Sequence, residues 1–124
     1  LAYNLPTMSP PGEPVDVIAE LPVAGIKDSS GDAERLLLEA DALHSNVFTG
    51  STALLHLAGA VGCAGAILGL ANVDPDGCTR AWLGDGGVQR TLINAHRAQS
   101  LAGIAGLKRQ LCALHGTSPV TRMG

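Results

Sequence analysis

Two side chains in this 124-residue sequence have the type and placement for covalent carbonyl chemistry. Lys27 ends the apolar run Val23-Ala24-Gly25-Ile26-Lys27, and Tyr3 is the only tyrosine in the chain. A lysine is a poor nucleophile while protonated at its reference pKa of roughly 10.4. A dry, strand-flanked site disfavours the ammonium form and releases the amine. The free amine can attack the carbon of a ketone or aldehyde. The resulting iminium draws electrons from the neighbouring carbon, so carbon–carbon bonds can be made or broken there. That chemistry needs a proton carrier within hydrogen-bond reach, and a phenol both donates and accepts. Tyr3 is the candidate. Taken singly, a lysine at a strand end is most often a snorkelling surface residue, and a lone tyrosine is most often a packing residue.

The elements that must position these two side chains follow from the apolar pattern. Leu1 to Tyr3 reads as the tail of a strand, which Pro6, Pro10, Pro11, Gly12 and Pro14 prevent from continuing. Val15 to Leu21 reads as a short amphipathic helix. Val23 to Lys27, bounded by Pro22 and by Asp28-Ser29-Ser30-Gly31, reads as a buried strand feeding a loop. Asp32 is placed to cap a helix with an apolar face of Leu36, Leu37, Ala40 and Leu43, closing near His44 before Asn46. Val47 to Thr49 is the next strand, Thr52 to Val61 a helix, Gly62 to Gly65 a turn, and Ala66 to Ala71 a further apolar strand. After Pro75 the pattern is helical, with two or three helices over Asp76–Leu83 and Val88–His115.

Strands separated by helices of about ten residues imply parallel βα units. Tyr3 and Lys27 then stand at the carboxyl ends of consecutive strands, the face where barrel enzymes place their chemistry. This coincidence outweighs the separate surface and packing readings. Four strands do not close a barrel. The expectation is therefore an α/β fold: half of a (β/α)8 TIM barrel over residues 1–75, four strands with their helices, followed by C-terminal helices over residues 76–124. The abrupt opening on Leu1 is read as a truncation.

Two motifs carry a family resemblance. Tyr3-Asn4-Leu5-Pro6 and Gly25-Ile26-Lys27-Asp28-Ser29-Ser30-Gly31 resemble the fifth-strand Tyr-Asn-x-Pro motif and the sixth-strand lysine motif of the dihydrodipicolinate synthase and N-acetylneuraminate lyase family. Thr49-Gly50-Ser51 and Gly65-Ala66-Ile67-Leu68-Gly69-Leu70-Ala71-Asn72 are similar to that family's seventh- and eighth-strand segments. The resemblance implies a Schiff-base-forming lyase, an aldolase or dehydratase, with Lys27 and Tyr3 catalytic and with Gly50 and Ile67 contributing backbone groups around the imine. It implies a 2-oxo acid substrate, no metal or organic cofactor because the imine is itself the electron sink, and a homo-oligomer, commonly a tetramer. Met8 stands where the dihydrodipicolinate synthase branch has an arginine, and Ser51 and Thr52 where it often has two aspartates. These departures argue against that specific activity. The family's second-strand Gly-Thr-Thr-Gly-Glu motif is expected upstream of these residues. The alternative is a catalytically silent barrel fragment that binds a small acid or a partner through its strand edge.

Composition narrows the remaining classes. An apolar content of 46% supports a buried core, and the 2% aromatic content with abundant Ala, Gly and Leu suits helix-on-strand layers. The formal charge of -3, with basic residues scattered except for Lys108-Arg109, gives no footprint for nucleic acid. Cys63, Cys78 and Cys112 fit neither a disulfide framework nor a zinc knuckle, so a reducing cytoplasm is expected. The uncharged stretch from Thr52 to Val73 contains His56, Asn72 and a glycine-rich turn, and reads as helix-turn-strand rather than a membrane span. His44, His56, His96 and His115 lack ligand spacing, and neither a dinucleotide-binding glycine motif nor a serine elbow is present. Asp28 and Asp32 suggest a cation loop less strongly than Asp32 suggests a helix cap.

Overall fold

A computed structural model describes residues 1–44 and 46–122. The chain forms, in order, β1 (Ala2–Asn4), α1 (Val15–Glu20), β2 (Ile26–Asp28), α2 (Ala33–Ala42), β3 (Val47–Thr49), α3 (Leu55–Ala60), β4 (Gly65–Ala66), α4 (Pro75–Trp82) and α5 (Gly86–His115). Single turns of 3-10 helix, Thr52–Leu54 and Leu70–Asn72, precede α3 and α4. The fold is mixed α/β, with one four-stranded sheet in the order β1-β2-β3-β4 and every pairing parallel. Each parallel step is bridged by a helix because two neighbouring strands of the same direction need a crossover.

The register puts Tyr3 opposite Lys27, Lys27 opposite Phe48, and Phe48 opposite Gly65. Side chains alternate between the faces of a strand, so these positions share one face. Their neighbours Ile26 and Val47 are 0% exposed on the other face, in a core with Ile18, Leu36, Ala58 and Cys63. A second core of Leu55, Leu70, Cys78, Ala81 and Leu92 joins α3, α4 and α5, and Trp82 packs against both. The sheet is thus covered by helices on one face, and its other face carries Tyr3 and Lys27.

Helix starts follow the capping chemistry. Asp32 accepts from the Arg35 amide at 3.0 Å, Asp74 from Gly77 at 2.9 Å, and Asp85 from Val88 at 3.0 Å. These bonds satisfy amides that a helix's first turn leaves free. Asp32 is therefore a cap, as its position predicts, while Asp28 pairs instead with Asn4, Ser30 and Arg35.

Several element boundaries differ from the sequence reading. β2 starts at Ile26 rather than Val23. Gly25 has φ of 156°, and a Cβ there would lie 2.2 Å from the Asn46 carbonyl, so the chain turns tightly against the lead-in to β3 before pairing begins. β4 is two residues long instead of extending to Ala71. Ile67 still donates to the Thr49 carbonyl at 2.9 Å, but Leu70 is pulled into the second core by a 3-10 turn. On α2 the buried positions are Leu36 and Glu39, with Ala40 and Leu43 packed beside them, whereas Leu37 is 45% exposed. Leu37 lies one residue, about a quarter turn, off the stripe that faces the sheet. α5 is broken at Gly103, where φ and ψ of 60° and -162° leave the helical region, so the tail holds two helical arms after α4.

Candidate functional site

The carboxyl ends of the strands open into a cleft of about 390 Å3. Tyr3, Lys27, Gly50 and Ile67, the four residues singled out from the sequence, all line it, one from each strand or the loop that follows it. Lys27 Nζ lies 4.2 Å from the centroid of the Tyr3 ring, within cation–π range. That proximity is a direct result of the parallel register, which sets the two residues side by side on neighbouring strands.

The Tyr3 phenol is held below its ordinary pKa of 10.0, chiefly by hydrogen bonding to Ser29 and then by Lys27, with partial burial opposing them. Stabilisation of the phenolate by a hydroxyl and a cation makes the phenol a better proton donor. Tyr3 is nevertheless 58% exposed and Lys27 half-buried. The dry mouth expected from the sequence is instead an open cleft on this side.

Gly50 is required by close approach. A Cβ at this position would sit 2.0 Å from Ser29 Oγ and 3.0 Å from the Asp28 carbonyl. The Gly50 amide in turn donates to that carbonyl at 2.5 Å. The loop after β3 therefore lies directly against the loop that follows Lys27. Ser51 and Thr52, at the positions where the resembled branch often has two aspartates, are both buried, and Thr52 lines the cleft.

The far wall comes from α5. His96, Gln99, Ser100, Gly103 and Ile104 face the cleft at helical spacing, and the Ser100 hydroxyl is spent on the His96 carbonyl at 2.9 Å. Gln99 Nε2 passes so close to Gly69 that a Cβ there would lie 2.4 Å from it. None of these α5 residues stands out in the sequence. The spacing of His96, Gln99 and Ser100 is a polar stripe at i, i+3 and i+4, but the same pattern describes any solvated helix face.

Behind the cleft, on the helix-covered side of the sheet, β2 is fixed by a polar network. Asp28 Oδ1 accepts from Asn4 Nδ2 at 2.5 Å, and Oδ2 accepts from the Ser30 hydroxyl and amide at 2.5 and 3.2 Å. Arg35 Nε lies 3.3 Å from Asp28 Oδ1 and 2.7 Å from Glu39 Oε1, while Nη2 donates to the Glu13 carbonyl at 2.7 Å. Glu39 is 0% exposed, and its pKa is pushed up from 4.5 to about 7, first by burial and then by the Asp28 charge, with Arg35 opposing. A glutamate flanked by Leu38 and Ala40 gives no sequence signal of burial; its i,i+4 relation to Arg35 reads as a surface pair.

A second cavity, about 330 Å3, lies between β4 and α4 and is lined mostly by apolar groups such as Leu55, Leu68 and Trp82. It offers no amine or carboxylate. Among the described residues no helix is long and apolar enough to cross a membrane, and no cluster of three metal-ligating side chains occurs. No family model matches the chain, and no curated protein matches it.

Proposed function

We propose that this chain carries the reactive half of a Schiff-base-forming lyase that acts on pyruvate or a related 2-oxo acid, and that its sheet is the C-terminal half of a (β/α)8 barrel. The observation that supports this reading most is the pairing of Lys27 with Tyr3 on adjacent strand ends, Nζ 4.2 Å from the ring centroid, in a cleft also lined by Gly50 and Ile67. Lys27 adds to the keto carbon, and loss of water from the carbinolamine gives the iminium. Tyr3, with Ser29 beside it, gives the departing hydroxide its proton and takes one back from the attacking water when the imine is hydrolysed. The electron pair released by carbon–carbon cleavage, or by loss of a proton from the neighbouring carbon, moves into the iminium, so the chemistry calls on no other electron sink. The reading places the protein in the cytoplasm as a homo-oligomer, and Met8 separates it from dihydrodipicolinate synthase itself.

A second reading, a silent fragment that binds a small acid or a partner by its strand edge, is favoured by the openness at Tyr3 and by the outer strands β1 and β4, each paired on one side among the described residues. Incubation with pyruvate and borohydride, followed by peptide mapping, separates the two. A reduced pyruvyl adduct on Lys27 is expected for the lyase. Folded protein that takes up no label at Lys27 sinks that reading.

A further inference from the structure

The cluster behind β2 contains one guanidinium between two carboxyl groups, only one of which is otherwise satisfied. Asp28 has donors from Asn4 and Ser30, whereas neither Glu39 oxygen has a hydrogen-bond partner among the described residues. Arg35 Nε is within ion-pair distance of both, yet its N–H is aligned with neither. With both carboxyls ionised, this trio of two buried carboxylates and a partly buried guanidinium carries a net negative charge, a state that burial disfavours.

We propose that Asp28, Arg35 and Glu39 form a proton-operated latch on the end of β2. With Glu39 neutral, the guanidinium serves Asp28 and clamps the Lys27–Ser29 segment to α2. With Glu39 ionised, Arg35 is drawn to it and the segment loosens. Arg35 and Glu39 are thereby positioning residues for the amine; that role rests on the lyase reading, but the latch does not.

The surroundings allow few other participants. Asp28 from β2, Arg35 from α2 and the Cys63 thiol after α3 are the titratable groups facing Glu39, and Cys63 is itself pushed up by burial and then by the Glu39 charge. α1 and β3 bring Ile18 and Val47 to the core beside α2, while the α1 carboxylates Asp16 and Glu20 are exposed. Since the folded pKa of Glu39, about 7, lies above the ordinary 4.5, its contribution to stability is full below the unfolded value and is lost as pH rises through 7.

The test compares unfolding of the full chain with that of E39Q across this range. Between about pH 5 and about pH 8, the wild-type folding constant should fall relative to E39Q by roughly a hundredfold. Parallel profiles would overturn the latch. Because Arg35 holds Glu39 down, R35Q should move the wild-type inflection to higher pH; an unmoved inflection removes the guanidinium from the device. Pyruvate labelling of Lys27 supplies the second arm. The ratio of wild-type to E39Q label should drop severalfold above neutrality, and a flat ratio eliminates the positioning role. Absence of label in both proteins at every pH would remove the lyase reading and the positioning role with it, leaving the latch to be decided by the unfolding curves.

Discussion

Ser29 and Lys27 both lower the pH at which the Tyr3 phenol ionises, and the Ser29 hydrogen bond is the largest single cause. Because Tyr3 is the only tyrosine in the chain, its phenolate absorbance can be followed without interference. Ser29→Ala and Lys27→Met should each raise the midpoint of that titration; a midpoint unmoved by Ser29→Ala would remove that hydroxyl from the phenol's contacts. The same phenol gives a kinetic prediction. Tyr3→Phe keeps the ring under Lys27 but deletes the proton carrier, so Lys27 labelling by pyruvate and borohydride should slow by about a hundredfold or more. Unchanged labelling would make Tyr3 a packing residue, which is what a tyrosine beside a proline-rich loop most often is. Tyr3 and Lys27 could be read from the sequence because each terminates a short apolar run at a break. Glu39 could not, because its burial depends on which way α2 rolls onto the sheet, and the Leu36-Leu37-Leu38 run leaves that rotation ambiguous.

At the scale of elements, the loops after β2 and β3 lie in contact, and Gly50 is the residue that permits it. Gly50→Ala forces Ser29 and the Asp28 carbonyl aside, which should destabilise the chain by about 1–3 kcal/mol in denaturant unfolding and reduce labelling of Lys27 at the same time. Loss of stability with full labelling would show that the two loops adjust independently. Asp74 offers a contrasting case, since it caps α4 through the Gly77 amide and does not line the cleft. Asp74→Ala should lower stability by about 1 kcal/mol and leave Lys27 labelling unchanged in protein that remains folded. The Asp32 cap, β1 and β3 were legible because local chemistry determines them: a side-chain acceptor before a helix, or an apolar run between breakers. β4 was not. Gly65 to Asn72 is apolar throughout, and such a run has no period that separates a strand from a turn packed into a core. The pull of Leu70 towards Cys78, Ala81 and Leu92 ends the ladder at Ala66, and that is a tertiary effect. The cleft wall on α5 was invisible for a related reason, because the break at Gly103 and the packing of Leu107 beside Gly69 decide which stripe of the helix faces Lys27.

The whole molecule is a parallel sheet with helices over one face, Tyr3 and Lys27 on the other, and α5 crossing the carboxyl ends of the strands. This arrangement makes the two readings of function diverge in solution behaviour as well as in chemistry. The outer strands β1 and β4 present backbone donors and acceptors, a template on which another strand can pair. Leu101 and Leu114 on α5, 91% and 56% exposed, add apolar surface of a kind that assembly would cover. The lyase reading, with its homo-oligomer, predicts association in sedimentation that grows with concentration and is weakened by Leu101→Glu; the substitution should leave thermal unfolding of the dilute chain unchanged, because the side chain it replaces is almost fully in solvent. If Lys27 is labelled by pyruvate, and labelling per chain rises with the associated fraction, the partner copy helps to enclose the amine and the openness at Tyr3 belongs to the single chain. Association without any labelling favours the strand-edge reading instead. A chain that stays monomeric at every concentration rules out the homo-oligomer, and labelling in that monomer would mean that the four strands alone suffice to present a reactive lysine.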